Sequence, residues 1–340
     1  MTKRIGRRRR IRAAGALGAA ALLGFLFVVA PPASGPERRV VVPQGASLAQ
    51  VVDSLAARGV VRGAGLFELY ARTRGAAPRI KAGHYAMPAP SSWTSVLRRL
   101  TRGEVLTEPL TVPEGFTLAQ IAPRIAELSG VPSDSVAAAL ARPGLEDGLG
   151  VPGPGVEGYL FPDTYLFASG VPVETVVATM AARYRSVWTP ERRARLEEIG
   201  LSEQEAVTLA SIVQAEARRV DEMPRIAGVY HNRLELGWLL QADPTVLYAL
   251  GGYRERLLFA AIDSVADNPY NTYAFAGLPP GPIGSPGEAA IDAALQPDEH
   301  DFLYFVAWPD GSHVFTRSLA EHNQAIASAR RARQGDGTGD

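Results

Sequence analysis

Glu216 is the residue in this sequence whose position most invites chemistry. It lies in LSEQEAVTLASIVQAEARRV, Leu201 to Val220, a stretch that reads as a helix. Ser202 and Glu205 have the spacing of a capping box, which ties off the free backbone N–H groups of a first turn. On a wheel of about 100° per residue, Ala206, Leu209, Ala210, Val213, Ala217 and Val220 form one apolar stripe, with Thr208, Ser211, Ala215, Arg218 and Arg219 opposite. Glu216 does not join the polar side: it falls roughly 20° from Leu209, between Leu209 and Ile212, and should point toward the covered face. Desolvation disfavours the charged form of a carboxyl, and a carboxyl kept protonated near neutral pH is what a general acid needs. The same place would also suit a structural carboxylate satisfied by an arginine or a backbone N–H.

Other kinds of site find little support. The chain has no cysteine, which excludes disulfides, thiolate metal sites and a Cys nucleophile. Ser211 lies on the polar side of the wheel with no G-x-S-x-G around it. His84 stands in a strand beside Tyr85 with no second His, Asp or Glu at metal-ligand spacing, so neither a metal nor any other cofactor is expected. GLPPGPIGSPG, from Gly277, lacks the Lys and the strand-to-helix spacing of a phosphate loop, and reads as a fixed border to a groove. Acidic and basic residues balance at 35 each in 340 residues, so nothing in the global charge points to nucleic acid.

The elements that must position Glu216 begin with a basic tail, residues 1–12, followed by an apolar run from Ala13 to Ala30. At ~1.5 Å per residue such a run just spans a bilayer core. The basic flank would stay in the cytoplasm, leaving everything after Pro31 outside, and a retained anchor is expected in preference to a cleaved signal peptide. A Pro/Gly linker follows. Then VPQGASLAQVVDSLAARGVV, from Val42, recurs as VPEGFTLAQIAPRIAELSGV, from Val112. Each copy reads as strand, Pro/Gly turn, capping Ser or Thr, and amphipathic helix, implying two small modules, 38–105 and 106–150. In the first, Ser91 is expected to cap the helix running to Leu100. The V-P-x-G-x-T-L-x-x-I-A pattern of the second resembles the LysM peptidoglycan-binding module, and a generic βα unit would read the same way. Gly and Pro from Pro143 to Gly155 mark a connection to the largest domain, 155–333. That domain carries helices near 172–186 and 190–199, a strand pair DFLYFVAWPDGSHVFT turning at Pro-Asp-Gly, a last helix near 318–333, and a polar tail, 334–340, expected to be disordered.

Several motifs in order carry a family resemblance: EGYLFPDTY from Glu157, LASIVQAEA from Leu209, NRL from Asn232, LQADPTVLYALG from Leu240, YNTY from Tyr270, GLPPGPIGSPG, and LYFVA through HVF and EHN at Leu303 to Asn323. Together they look like the YceG-like endolytic murein transglycosylases, the MltG family, over nearly everything after the linker. The resemblance implies a single-pass inner (cytoplasmic) membrane protein with extracytoplasmic domains. It implies a lytic enzyme, a lyase, that cuts the MurNAc-GlcNAc β-1,4 bond within glycan strands of peptidoglycan, leaves 1,6-anhydroMurNAc ends and so terminates nascent strands in cell-wall biogenesis. Peptidoglycan synthases are the partners it suggests. The family's catalytic residue is a Glu in the helix motif. Many members carry two acidic residues there, two apart; this chain has Gln214 and then Glu216, so Glu216 must be the acid. On the wheel Gln214 falls roughly 160° from Glu216.

That chemistry requires a proton for the departing oxygen and support for an oxocarbenium-like centre. Asp243, in the QADPT loop, would line the cleft and balance positive charge, or it or Thr245 would cap the following helix. Glu157 would face the cleft or form a structural ion pair, and Asp163 would shape a turn after Pro162. Tyr270, Asn271 and Tyr273 offer aromatic faces and amides for sugar rings, with Gln241 next. The expected architecture is thus α+β: a transmembrane helix, two small βα modules with the second LysM-like, and a mixed α+β catalytic domain. The competing function is a noncatalytic peptidoglycan-binding scaffold for cell-wall synthases; a hydrolase using water is a second.

Overall fold

A computed structural model describes residues 29–30, 35–252 and 259–335. The expected span at 13–30 lies outside them except for its last two residues, as do the basic tail and residues 336–340. Among the described residues no helix is long and apolar enough to cross a membrane.

The chain forms two compact units. The first takes residues up to Glu108 together with Leu166–Val171. In it β1 (Glu37–Val42) pairs antiparallel with β2 (Gly83–Pro88), Val40 opposite Tyr85. Alternation follows from the pleat: Val40, Val42, Tyr85 and Met87 are buried, while Val41 points out. Between the strands run α1 (Leu48–Ala57) and α2 (Ala64–Thr73), and α3 (Trp93–Arg102) follows β2. Their inward faces, among them Val51, Leu55, Phe67, Trp93 and Leu100, close one core with the sheet. Ser92, not the expected Ser91, caps α3; Ser91 is buried and its hydroxyl donates to the Pro88 carbonyl. Adjacent serines cannot be told apart by spacing, and burial decides.

The second unit comprises Pro109–Tyr165 and Pro172–Asp340. The repeated motif keeps its local form in both copies. Ser47 with Gln50, and Thr117 with Gln120, make matching capping boxes, and Gly45 and Gly115 both sit at positive φ in the turns before them. In both copies the strand finds its partner beyond the repeated stretch: β1 in β2, and β3 (Thr107–Thr111) in β4 (Thr164–Ala168). The helices α4 (Leu118–Ser129) and α5 (Ser133–Leu140) pack on each other, and α6 (Leu145–Leu149) follows. Gly115 N–H donates to the Ser285 carbonyl and Ser285 N–H to that of Phe116. The stretch 109–150 is thereby stitched into the larger unit, and nothing in its fold singles out a LysM module. The Gly/Pro-rich segment at 143–155 lies inside that unit.

Around the site, α7 (Val173–Val187) and α8 (Pro190–Ile199) lead into α9 (Glu203–Glu216), which packs against α8, α10 (Met223–Glu235), α11 (Asp243–Ala249) and α13 (Glu288–Leu295). The short α12 (Phe259–Asp263) lies between the last two in sequence. The hairpin β5 (Tyr304–Ala307) and β6 (His313–Thr316) turns at Gly311, φ 86°, after Asp310 accepts from the Ser312 N–H and hydroxyl. Helix α14 (Leu319–Gly335) packs on it.

The opening helix differs from its wheel. It stops at Glu216, and Ala217 turns extended (ψ 126°), so Ala217 to Val220 do not continue the stripe and Val220 is exposed. Thr208 and Ser211, placed on a polar side, are buried. From 206 to 213 helix α9 is covered on all sides, and these hydroxyls are satisfied there: Thr208 donates to Gln204 O at 2.7 Å, Ser211 donates to Thr208 O at 2.7 Å and accepts from Ile283 N–H at 3.0 Å.

Candidate active site

Because α9 ends at Glu216, this carboxyl stands where a buried helix opens onto a cleft of about 500 Å³. Other walls come from α10 (Tyr230, Arg233), the loop into α11 (Gln241, Asp243), Tyr273, the hairpin (Tyr304, Phe305, His313) and α14 (His322, Asn323). Tyr230, buried, donates its hydroxyl to Glu216 Oε1 at 3.1 Å. Burial, then the negative charge of Asp243, push the Glu216 pKa up to about 7; the Tyr230 hydrogen bond and the positive Arg233 oppose this. Its place at the last residue of a helix acts the same way as burial, since the negative end of the helix dipole disfavours a second negative charge.

Arg233 is held in the wall by its backbone partners. Its Nε donates to Leu303 O at 2.7 Å and its Nη1 to Leu240 O at 2.6 Å, with the guanidinium 5.3 Å over the Tyr304 ring. A buried cation so fixed supplies a permanent positive charge beside the acid. Asp243 Oδ1 accepts from the Tyr273 hydroxyl at 2.6 Å. Helix α11 has no side-chain cap: Thr245 donates to Ala242 O and meets Thr272 Oγ1 at 2.9 Å, which leaves Asp243 facing the cleft. Gln241 is the single non-glycine residue at positive φ among those described, 48°, tied by its N–H to Thr272 O at 3.1 Å. Strain of that kind needs surroundings that enforce it, and it turns the Gln241 side chain outward at the cleft rim.

Of the residues expected at the site, Glu216, Gln241, Asp243 and Tyr273 share this cleft. Glu157, Tyr270 and Asn271 do not line it. Glu157 receives Leu118 N–H, the first of α4, at 3.0 Å and the Tyr248 hydroxyl at 3.2 Å; its pKa is also pushed up to about 7 by burial, against those hydrogen bonds. Tyr270 packs on Tyr248, ring centroids 4.9 Å apart, and Asn271 is buried, donating to Ile262 O and Val265 O and accepting from Tyr273 N–H. The NTY run thus holds its own loop, and only Tyr273 emerges from it at the cleft. Gln214 accepts from Gly287 N–H at 3.0 Å and anchors the GSPG loop. Asp163 accepts from Thr164 N–H, as a turn residue would, and pairs with Arg183 at 3.0 Å.

Sequence reasoning missed Tyr230, Arg233, Tyr304, His313 and His322. Their motifs, YHNRL, LYFVA, HVF and EHN, were visible, but each contributes one residue from a different element, and no spacing unites them. His313 N–H and Nδ1 meet the two Glu222 oxygens at 3.1 and 2.7 Å. His322 stacks on Tyr304, centroids 5.1 Å apart, and is held below the usual histidine range by burial and by Arg233. Among the described residues no group of three or more His, Asp or Glu could hold a metal ion.

The model of the YceG-like family matches residues 40–328. An endolytic murein transglycosylase of Bacillus subtilis (strain 168) is 33% identical over 300 residues, covering 84% of this chain and 82% of that protein. One of Streptococcus pneumoniae serotype 2 is 31% identical over 316 residues, covering 84% of this chain and 57% of its own. The crystal structure of a putative YceG-like protein from Listeria monocytogenes superposes with a TM-score of 0.59 at 30% identity, covering 85% of this chain and 98% of that one. By sequence along most of its length, this chain belongs to the YceG-like family.

Proposed function

We propose that the chain is an endolytic murein transglycosylase with Glu216 as its sole proton-handling residue. The observation that carries this is a carboxyl with its pKa near 7, hydrogen-bonded to a buried tyrosine, at the floor of an aromatic- and amide-walled cleft. Protonated Glu216 donates to the glycosidic oxygen as the bond from the MurNAc anomeric carbon breaks. The resulting carboxylate then takes the proton of the MurNAc C6 hydroxyl while that oxygen attacks the anomeric carbon, closing the 1,6-anhydro ring. No water is consumed and Glu216 ends protonated again. Asp243, aligned by Tyr273, balances the positive charge that develops at the ring. Tyr304 and Phe305 offer faces to the sugars, and Gln241 and Asn323 offer amides to their N-acetyl groups.

The apolar run 13–30 would hold the enzyme in the cytoplasmic membrane with both units outside, where nascent strands are made and where synthases would be its partners. Residues 106–150 would contribute to gripping the glycan. Un-crosslinked glycan strands incubated with the purified protein and analysed by mass spectrometry test the reading. Internal cuts with anhydro ends are expected. Reducing ends would instead identify a hydrolase, and the absence of any cut would leave the scaffold.

A further inference from the structure

We propose that a basic pocket on the first unit binds the phosphate of an anionic lipid headgroup. The pocket, about 400 Å³, is bordered by Arg74, Arg79 and Arg98 with Tyr70, Thr94 and Thr101, and no carboxylate lines it. Arg74 lies 5.3 Å over the Tyr70 ring, which is itself braced by Trp93 at 5.7 Å and Phe67 at 6.4 Å. One guanidinium is therefore held in place before any ligand arrives.

Several other arginines of this unit have partners within the protein. Arg72 pairs with Glu68 at 2.6 Å, Arg99 donates to Ala86 O, Arg58 donates to Arg39 O, and Arg102 stands 3.9 Å from Glu104. Among the described residues, Arg74, Arg79 and Arg98 meet no carboxylate. Residues 35–108 carry 11 Lys and Arg against five Asp and Glu, in a chain that is neutral overall. Three unneutralised guanidiniums around one recess repel one another, and a tetrahedral phosphate with oxygens to share relieves that repulsion while matching their fork geometry.

A lipid is favoured over a soluble phosphate by the course of the chain. Val29, at the end of the apolar run, packs against the core of this unit. If that run enters the bilayer, the unit emerges at the headgroup layer. The choice of lipid therefore rests on the anchor proposed above, and insertion of residues 13–30 is read separately by extraction of membranes with alkaline carbonate. Each arginine near an anionic surface strengthens binding about fivefold.

The test uses the full chain in maltoside micelles doped with phosphatidylglycerol or phosphatidylcholine, with inorganic phosphate or muramyl dipeptide added to undoped micelles in parallel arms. Phenylglyoxal modification of each arginine is followed by peptide mass spectrometry. Phosphatidylglycerol is expected to shield Arg74, Arg79 and Arg98 and to leave Arg142, exposed on the second unit, unchanged. Arg79→Gln with Arg98→Gln, which keeps the Arg74–Tyr70 contact and the fold, should weaken phosphatidylglycerol binding about 25-fold and leave cleavage of soluble glycan as it was. Equal shielding by phosphatidylcholine, by inorganic phosphate or by muramyl dipeptide overturns the anionic lipid headgroup as the ligand, as does no shielding at all. A wild-type chain that is shielded but cuts no glycan would fail the transglycosylase reading and leave this one standing.

Discussion

Replacing Glu216 by Gln should abolish cleavage and at the same time make the protein more stable at alkaline pH. The side chain keeps its shape and can still accept from Tyr230, so little packing is lost. What disappears is the burden of a carboxylate in a place that disfavours one. Its pKa rises from the ordinary 4.5 to about 7 in the folded protein. The folded state thus binds more protons than the unfolded state between those values, and stability contributed by the carboxyl is full below about 4.5 and is lost as pH rises through about 7. A shift of that size corresponds to up to ~3 kcal/mol. Wild type and variant should therefore be about equal in stability at pH 4.5 and diverge by up to that amount, in favour of the variant, at pH 8. Chemical denaturation at a series of pH values measures the difference, in which titrating groups that do not interact with Glu216 cancel. The rate of anhydro-end formation should fall at least ~10²-fold, the loss expected when general acid–base catalysis is removed. A stability difference flat with pH would refute the raised pKa. Near-normal cleavage would place the acid elsewhere.

Three further variants separate the neighbours of Glu216. Tyr230→Phe removes a hydrogen bond that favours the carboxylate, so the alkaline limb of the pH–rate profile should move upward by ~1 unit. Asp243→Asn removes the negative charge that helps keep Glu216 protonated, so that limb should move down while the maximal rate falls, measured on the same strands. Gln214→Ala frees Gly287 N–H and should cost ~1 kcal/mol in a denaturant melt, with the position of the pH–rate limbs unchanged.

Much of the fold was legible because its signals are local. The Ser202–Glu205 capping box, the capping Ser47 and Thr117, the turns at Gly45 and Gly115 and the Asp310–Gly311 hairpin turn follow from side chains within four residues of one another, so they survive whatever packs around them. What was not legible was long-range. The repeat at Val112 matches that at Val42 in sequence and in its capping, but neither copy says that β1 will pair with β2 and β3 with β4, since periodicity carries no information about which strand will pair. The wheel of α9 assumed one covered side, whereas neighbouring elements cover the helix from 206 to 213 on every side.

The candidate site divides along the same line. Glu216 could be singled out from the sequence because a carboxylate out of step with a helix's polar side is a local anomaly, and Gln214 narrowed the motif to one acid. Glu157, Tyr270 and Asn271 have the right chemistry by residue type, and only tertiary structure shows them bonded within their own loops and helix ends, away from the cleft. Conversely, Tyr230, Arg233 and the hairpin aromatics come to share a cleft with Glu216 only after α10 and β5 have packed. The sequence by itself marked which carboxyl is out of step with the polar side of its helix. The packing of distant elements decided the burial, the hydrogen bond and the opposing charges that bring its pKa to about 7, because each of those depends on what surrounds the carboxyl in space.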